Sequence, residues 1–381
     1  MAPLPLVVLS LLLHAYVGWR LVPAWAALPW VLWPALALIA ASAVLMPAGL
    51  VARRLRSARA TQWLTWASFL CMGLFSSLFV LTLLRDLSLL ALTLLAWPLP
   101  ALGAVLPALS LWSARAVLPL ALFATGWGLW NARRTAAVVT VEVPIAGLPP
   151  ALQGFTIAQI SDVHVGPTIK RDYLDAIVQA VNRLDADLVA VTGDLVDGRV
   201  HELAEHVAPL ARLRSRHGTY FVTGNHEYYS GAAAWVQELR RLGVQVLENR
   251  HVVLRHSDAA LLLGGVTDYG AHHFDPALRS DPAAAMAGAP ADAAVRILLA
   301  HQPRSAEAAQ QAGFQLQLSG HTHGGQFWPW NLFVPLQQPF TAGLHRWQGL
   351  WVYVSRGTGY WGPPKRFGAP SEITRLRLVA A

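Results

Sequence analysis

The first 134 residues of this chain consist mainly of apolar runs that carry almost no charge. The five runs are Leu4–Trp19, Trp25–Val51, Trp63–Leu84, Leu87–Trp112 and Ala116–Trp130. A helix needs about 20 apolar residues to cross a bilayer, and the first and fifth runs are at or below that length. Irregular backbone cannot face lipid. The runs therefore predict an all-α membrane domain of about five transmembrane helices over residues 1–134.

The net charge of the chain lies entirely in this front segment. It contains nine arginines and a single acidic residue, Asp86, which account for the formal charge of +8 of the whole chain. The remaining 20 basic and 20 acidic residues cancel. Arginines that flank apolar spans are typical of membrane proteins. The basic composition therefore indicates a lipid bilayer as partner and no nucleic acid.

The arginines also predict an orientation in a cell (inner) membrane. Arg53, Arg54, Arg56 and Arg59 lie between the second and third runs, and positively charged loops stay in the cytoplasm. Five crossings would then place the rest of this multi-pass protein in the periplasm or outside the cell. If the fourth or fifth run does not cross the membrane fully, the same rule places the part of the chain after residue 134 in the cytoplasm.

Residues that commonly bind metal follow five apolar runs of strand length in the second part of the chain. The segments are Asp162–His164, Gly193–Asp197, Gly224–Glu227, His301–Pro303 and Gly320–Gln326. Because α/β sheets place ligands at the carboxyl edge of their strands, we expect the following side chains to converge: Asp162, His164, Asp194, Asn225, His301, His321 and His323. Seven donors exceed the four of one tetrahedral ion and suit two ions that share a carboxylate.

This ordered set resembles the calcineurin-like metallophosphoesterase family. Its pattern D-x-H, G-D-x-x-D, G-N-H-E, H, G-H-x-H is matched here in order, and the resemblance extends from about Leu148 to the C-terminus. The tail segments Ser355–Trp361 and Arg366–Thr374 are similar to the membrane-associated bacterial branch, although Thr267 stands where that branch often has an acidic residue. The resemblance implies that residues 135–381 form an α/β/β/α sandwich of two mixed sheets.

The resemblance also implies a role for each residue of the pattern. Three residues would hold a first metal, three a second, and one would bridge them: Asp162, His164 and His323; Asn225, His301 and His321; and Asp194. His226 would face the scissile phosphate without binding metal. Iron, manganese and zinc all accept such donors. We expect Asp197 and Glu227 to orient imidazoles from behind.

The resemblance implies a metal-dependent phosphoric ester hydrolase, and the donor set suits a dinuclear centre. Two cations can neutralise phosphate oxygens and lower the pKa of a bridging water, whose hydroxide would attack phosphorus. His226 would donate a proton to the leaving oxygen or stabilise its charge. The substrate would be a phosphodiester or a pyrophosphate, including lipid-linked esters. Phe327–Trp330 with Phe333 follow the last motif, as either a packed loop or an apolar lip that touches membrane or acyl chains.

Two alternatives stay open. The first is a pyrophosphatase of the kind that acts on UDP-diacylglucosamine in lipid A synthesis, which requires a cytoplasmic domain. The second is a membrane sensor or transporter with a non-catalytic metal-binding domain. Transport is disfavoured because the apolar runs contain almost no ionisable group apart from His14. The sequence names neither the substrate, the metals nor the oligomeric state.

Overall fold

The computed structural model describes residues 4–55 and 57–381, so residues 1–3 and Arg56 lie outside the described residues. The chain divides into two compact units. The first is Met1–Trp130 with Gly362–Phe367, and the second is Asn131–Trp361 with Gly368–Ala381. The predicted domain boundary after residue 134 stays a prediction.

The described part of the first unit contains four helices that are long and apolar enough to cross a membrane. They are α1 (Leu4–Leu21), α2 (Pro29–Ala48), α3 (Ala58–Ala96) and α4 (Pro100–Arg133). About five were predicted, and the difference arises because the last three apolar runs form only two helices. The chain reverses between α3 and α4 at Trp97–Leu99, where Pro98 cannot continue the helix.

Asp86 explains why α3 continues where the sequence analysis divided the runs. Its carboxylate accepts hydrogen bonds from Arg20 Nε at 2.7 Å, Arg85 Nη1 at 2.6 Å and the Tyr16 hydroxyl at 2.7 Å. Charged groups in apolar surroundings are tolerated when they pair with one another. The ion pair with α1 therefore lets α3 pass through the charged residues instead of ending at them.

The segment Gly362–Phe367 packs against α3 and α4 within the first unit. The Lys365 ammonium is buried and donates to the Gly73 carbonyl at 2.8 Å and to Ser77 Oγ at 2.6 Å. Gly128 makes room for this side chain, since a Cβ added there would lie 2.6 Å from Lys365 Cγ. The two helices are therefore shaped to receive this segment.

Replacing Gly128 with alanine should destabilise the first unit by about 1–3 kcal/mol, because the added methyl group overpacks the site of Lys365. Gly126→Ala is the matched control, since nothing lies within 4 Å of its added Cβ and alanine favours helix over glycine. Thermal unfolding of the full chain in detergent micelles measures both. Equal unfolding midpoints would contradict the described packing.

The second unit contains two six-stranded sheets. Its strands are β1 (Ala137–Ile145), β2 (Thr156–Ile160), β3 (Leu188–Val191), β4 (Thr219–Phe221), β5 (Gln245–Val246), β6 (Arg250–His256), β7 (Ala259–Gly265), β8 (Ala293–Leu299), β9 (Leu316–Ser319), β10 (Gly343–Trp347), β11 (Leu350–Val354) and β12 (Glu372–Ala380). The sheet orders are β1-β12-β2-β3-β4-β5 and β10-β11-β9-β8-β7-β6. Both sheets contain parallel and antiparallel pairs, so the prediction of two mixed sheets is confirmed.

Helices cover the outer faces of the two sheets. They are α5 (Arg171–Asn182), α6 (Val200–Val207), α7 (Asn225–Ser230), α8 (Ala232–Arg241), α9 (Pro282–Met286) and α10 (Ala306–Gln311). Alternate strand residues face opposite sides: Ile157 packs between the sheets, and Ile160 packs against α5 and α8. On the second sheet, Leu298 packs with residues of α9 and α10. This layering confirms the predicted α/β/β/α sandwich.

Candidate metal centre

The seven predicted ligand residues all follow the carboxyl ends of strands. Each lies within four residues of the end of β2, β3, β4, β8 or β9. Within each sheet these neighbouring strands run parallel, so their carboxyl ends meet at one edge. The structure thus brings together the residues that the order of motifs predicted.

Asp162, His164 and His323 form one group of converging donor atoms, all within 4.8 Å of one another. His164 Nε2 lies 3.1 Å from His323 Nε2, and His323 Nε2 lies 3.4 Å from Asp162 Oδ1. Carboxylate and imidazole donors at this spacing can share one cation.

Asp194, His301 and His321 form a second such group. Asp194 Oδ2 lies 3.2 Å from His301 Nε2, which is 3.2 Å from His321 Nδ1. The same carboxylate oxygen is 3.9 Å from Nε2 of His164, a member of the first group. Asp194 therefore adjoins both groups.

An unsatisfied polar atom of Asn225 is independent support for a metal site. Its Oδ1 is buried and has no hydrogen-bond partner among the described residues. Such an atom costs about 1–3 kcal/mol when left unsatisfied, and amide oxygens are good ligands for hard cations. Asn225 lines the same cavity as Asp194 and His321. The donor set therefore fits divalent metal ions.

The backbone at these residues is strained. Five of the seven have left-handed φ values between 50° and 70°: Asp162, His164, Asp194, His321 and His323. Non-glycine residues in sparsely populated regions cost about 1–3 kcal/mol each and cluster at functional sites. Glycine allows close approach nearby, since a Cβ added at Gly224 would lie 2.2 Å from Asp194 Oδ1.

Asp197 holds two imidazoles in place. Nδ1 of His226 donates to Asp197 Oδ1 at 2.6 Å, and Nδ1 of His164 donates to the same oxygen at 3.1 Å. The bond from His226 turns its other ring nitrogen, Nε2, towards the predicted ligands, and Nε2 lies 4.0 Å from Asp194 Oδ2. Fixing one ring nitrogen in this way sets the tautomer of the other.

The expectation that Glu227 orients an imidazole is wrong. Its carboxylate is fully buried and accepts backbone N–H groups of Gly224 at 2.6 Å, Asp194 at 3.0 Å and Leu195 at 2.8 Å. Burial and then Asp194 raise the pKa of Glu227 to about 7, and the backbone donors act in the opposite direction. Glu227 therefore ties the loop after β3 to α7.

The charges of the site follow from its burial and its neighbours. Burial acts to raise the pKa of Asp194, but His301, His226 and His164 outweigh it and hold that pKa well below its usual value. Burial, helped by His301, lowers the pKa of His321 to about 3. A neutral imidazole is the form that binds metal. Burial acts to lower the pKa of His226, whereas Asp197 and Asp194 raise it to about 9.

The site opens into a cavity of about 400 Å³, which is also lined by Tyr229 and Trp361. No sequence motif assigned a role to either residue. The only signals were that Tyr229 follows His226 closely and that Trp361 belongs to the tail resemblance. In the segment that follows the last motif, Phe327 is buried whereas Trp328 is exposed. The apolar lip that touches membrane or acyl chains stays a prediction.

Comparison with known proteins identifies the family. Residues 155–325 match the family model described as calcineurin-like phosphoesterase. The chain is 36% identical over 267 residues to an uncharacterized metallophosphoesterase of Campylobacter jejuni, which covers 69% of this chain and 68% of that protein. The chain belongs to the calcineurin-like metallophosphoesterase family.

Two vertebrate relatives are named transmembrane protein with metallophosphoesterase domain. The one from Bos taurus is 45% identical over 267 residues, and the one from Danio rerio is 39% identical over 263 residues. Each comparison covers 67% of this chain and 60% of the relative. The chain thus matches about 60% of the length of these two relatives. The transmembrane name of these relatives agrees with the four apolar helices of this chain.

Asp197→Asn should weaken metal binding or activity by about 10–100-fold, as is typical when a group that orients a ligand imidazole is changed. The amide oxygen that remains is a weaker acceptor than a carboxylate. Competition with a colorimetric chelator measures the affinity for Mn²⁺ or Zn²⁺. Asp292→Asn is the control, because it makes the same change at an exposed ion pair with Arg255. Wild-type affinity in Asp197→Asn would contradict the orienting role.

Proposed function

We propose that this chain is a membrane-anchored phosphohydrolase that uses two metal ions to cleave a phosphoester. The observation that carries the proposal is the convergence of two groups of donor atoms on Asp194, with His226 beside them. Membership of the metallophosphoesterase family supports the reaction class. The four apolar helices support the anchor.

The donor groups suggest how two ions would be held. Each ion would take three side chains, and one carboxylate would serve both: Asp162, His164 and His323; Asn225, His301 and His321; and Asp194. Bound there, the cations would neutralise phosphate oxygens and lower the pKa of a coordinated water. Iron, manganese and zinc all suit imidazole with carboxylate ligands.

His226 is proposed as the proton donor to the leaving oxygen. It lines the cavity with the ligands, and Asp197 occupies its Nδ1, which leaves Nε2 for the substrate. A general acid must come within hydrogen-bond reach of the atom it protonates. This arrangement needs no covalent intermediate on a side chain.

The substrate is proposed to be a phosphodiester or a pyrophosphate, including lipid-linked esters. Trp328, Trp330 and Phe333 follow the last ligand loop and are exposed, as expected for contact with an apolar part of the substrate. A non-catalytic sensor is the weaker candidate, because the Asp and His donors of the family pattern are grouped and Asn225 lines the same cavity.

The catalytic unit is proposed to face the cytoplasm. The loop between α2 and α3 contains Arg53, Arg54 and Arg59, and positively charged loops stay in the cytoplasm. Two helices, α3 and α4, follow this loop before β1. Two crossings return the chain to the same side. The expectation of a periplasmic or extracellular domain depended on five crossings. A cytoplasmic domain is also what a lipid A-type pyrophosphatase requires.

Asp194→Ala and His226→Ala should separate metal binding from proton donation. With Mn²⁺, we expect Asp194→Ala to lose both bound metal and hydrolysis of bis-p-nitrophenyl phosphate. His226→Ala should keep the metal and lose about 10²–10⁴-fold in kcat on alkyl esters. The loss should be smaller with p-nitrophenolate, which leaves without help from a proton.

The control for this experiment is His345→Ala, at a histidine on β10 that bonds the Ala342 carbonyl. It should retain wild-type rates. If the metal-loaded wild type hydrolyses these esters no faster than Asp194→Ala and His226→Ala, the hydrolase proposal is wrong.

Fusions after Ala381 test the orientation. Green fluorescent protein folds in the cytoplasm, and alkaline phosphatase is active only outside it. We expect a fluorescent green fluorescent protein fusion and an inactive phosphatase fusion in cells. The reverse pair of results would place the catalytic unit outside the cytoplasm and would require an odd number of crossings after the arginine loop.

A further inference from the structure

Two aromatic side chains that are largely open to solvent contact His226. The ring centroids of Tyr229 and Trp361 lie 5.4 Å and 5.6 Å from that of His226, with interplanar angles of 77° and 73°. Both residues line the cavity that contains the ligand residues. They are 67% and 54% exposed. A group that leaves past His226 would therefore meet these two rings.

Contacts within the second unit position both residues. The Tyr229 ring packs 5.6 Å from that of Phe274. The backbone N–H of Trp361 donates to Gln326 Oε1, and Gln326 Nε2 donates to the backbone carbonyl of Trp361, both at 2.8 Å. Gln326 directly follows the last ligand loop, so these two bonds fix Trp361 relative to the metal ligands. Residues that are already positioned in this way lose less conformational entropy when a substrate binds.

The chain that follows Gln326 is apolar and uncharged. Residues 327–340 contain no acidic or basic side chain, and Trp328, Trp330 and Phe333 among them are exposed. Neighbouring exposed apolar groups are typical of a surface that binds apolar ligands or membrane. A nucleobase could also stack on two such rings, so the uncharged apolar segment beside them is what favours an alkyl chain, which gains affinity from apolar contact area alone.

We propose that Tyr229 and Trp361 form the leaving-group site and that this site takes an apolar group, such as the alkyl or acyl portion of a lipid phosphate. The inference rests on the proposed phosphohydrolase function and narrows its substrate class. In the reaction, a hydroxyl from water joins phosphorus and the bond from phosphorus to the leaving oxygen breaks. The alcohol departs with a proton from His226, and the second proton of the water balances the one donated. The released alcohol carries the apolar chain.

Calorimetric titration of the metal-loaded full chain with dialkyl phosphates tests this site without requiring turnover. Dibutyl phosphate should bind at least about tenfold more tightly than dimethyl phosphate, because each buried methylene contributes roughly a fourfold gain. Trp361→Ala and Tyr229→Ala should each reduce this ratio to below about threefold, because they weaken the binding of dibutyl phosphate more than that of dimethyl phosphate. Trp361→Phe and Tyr229→Phe should keep the ratio, because they retain an aromatic ring.

Trp347→Ala is the control, since it removes an exposed tryptophan on β10 and should behave as wild type. Partition of the longer ester into detergent or lipid affects every variant equally, so the comparison of ratios isolates the two rings. Equal binding of both esters by wild type would overturn the leaving-group site, whether or not the chain hydrolyses bis-p-nitrophenyl phosphate. If wild type prefers dibutyl phosphate as expected but hydrolyses no ester, only the hydrolase proposal is wrong.

Other ligands give a second way to overturn the inference. Uridine 5′-monophosphate and phosphocholine each attach a different group to the same phosphate. If either binds more tightly than butyl phosphate, and Trp361→Ala and Tyr229→Ala abolish that gain, the rings form a base or an ammonium site.

Discussion

The carboxylate of Asp194 is the interaction on which the rest of the site depends. Its Oδ1 accepts the backbone N–H of His226 at 2.9 Å, and its Oδ2 lies 3.2 Å from Nε2 of His301. Its own N–H donates to Glu227. One residue therefore joins the two ligand groups to α7. Because β3 and β8 lie in different sheets, the same contacts also connect the sheets at their carboxyl edges.

This arrangement is unfavourable for the protein alone. Asp162 and Asp194 are buried carboxylates, and most of the ligand residues have left-handed backbone. Buried charges and strained residues persist only where surrounding structure over-determines them. Here the apolar clusters on both faces of the first sheet, together with the Glu227 bonds, hold the loops. Ions that bind only the folded chain would add to its stability by mass action. The strained backbone is thus consistent with a metal site that is preorganised by the fold.

Much of the site could be predicted from sequence, because the physics involved is local and ordered. A short apolar run followed by Asp, Asn or His places that residue at a strand end, and parallel strands bring their ends together. Features that depend on distant partners could not be predicted. Asp86 lies within a continuous helix because Arg20, 66 positions away, pairs with it. Trp361 reaches the cavity through bonds to Gln326, 35 positions away. Glu227 was misassigned because a motif shows a carboxylate but not which donors surround it.

The metal stoichiometry of the purified full chain tests the central claim most directly. Elemental analysis by mass spectrometry, after loading with Mn²⁺ and gel filtration, should give two ions per chain for wild type. Asn225→Ala should retain one ion, because the group formed by Asp162, His164 and His323 does not include Asn225. A wild-type chain that binds no more than one ion under saturating metal would contradict a dinuclear centre bridged by Asp194.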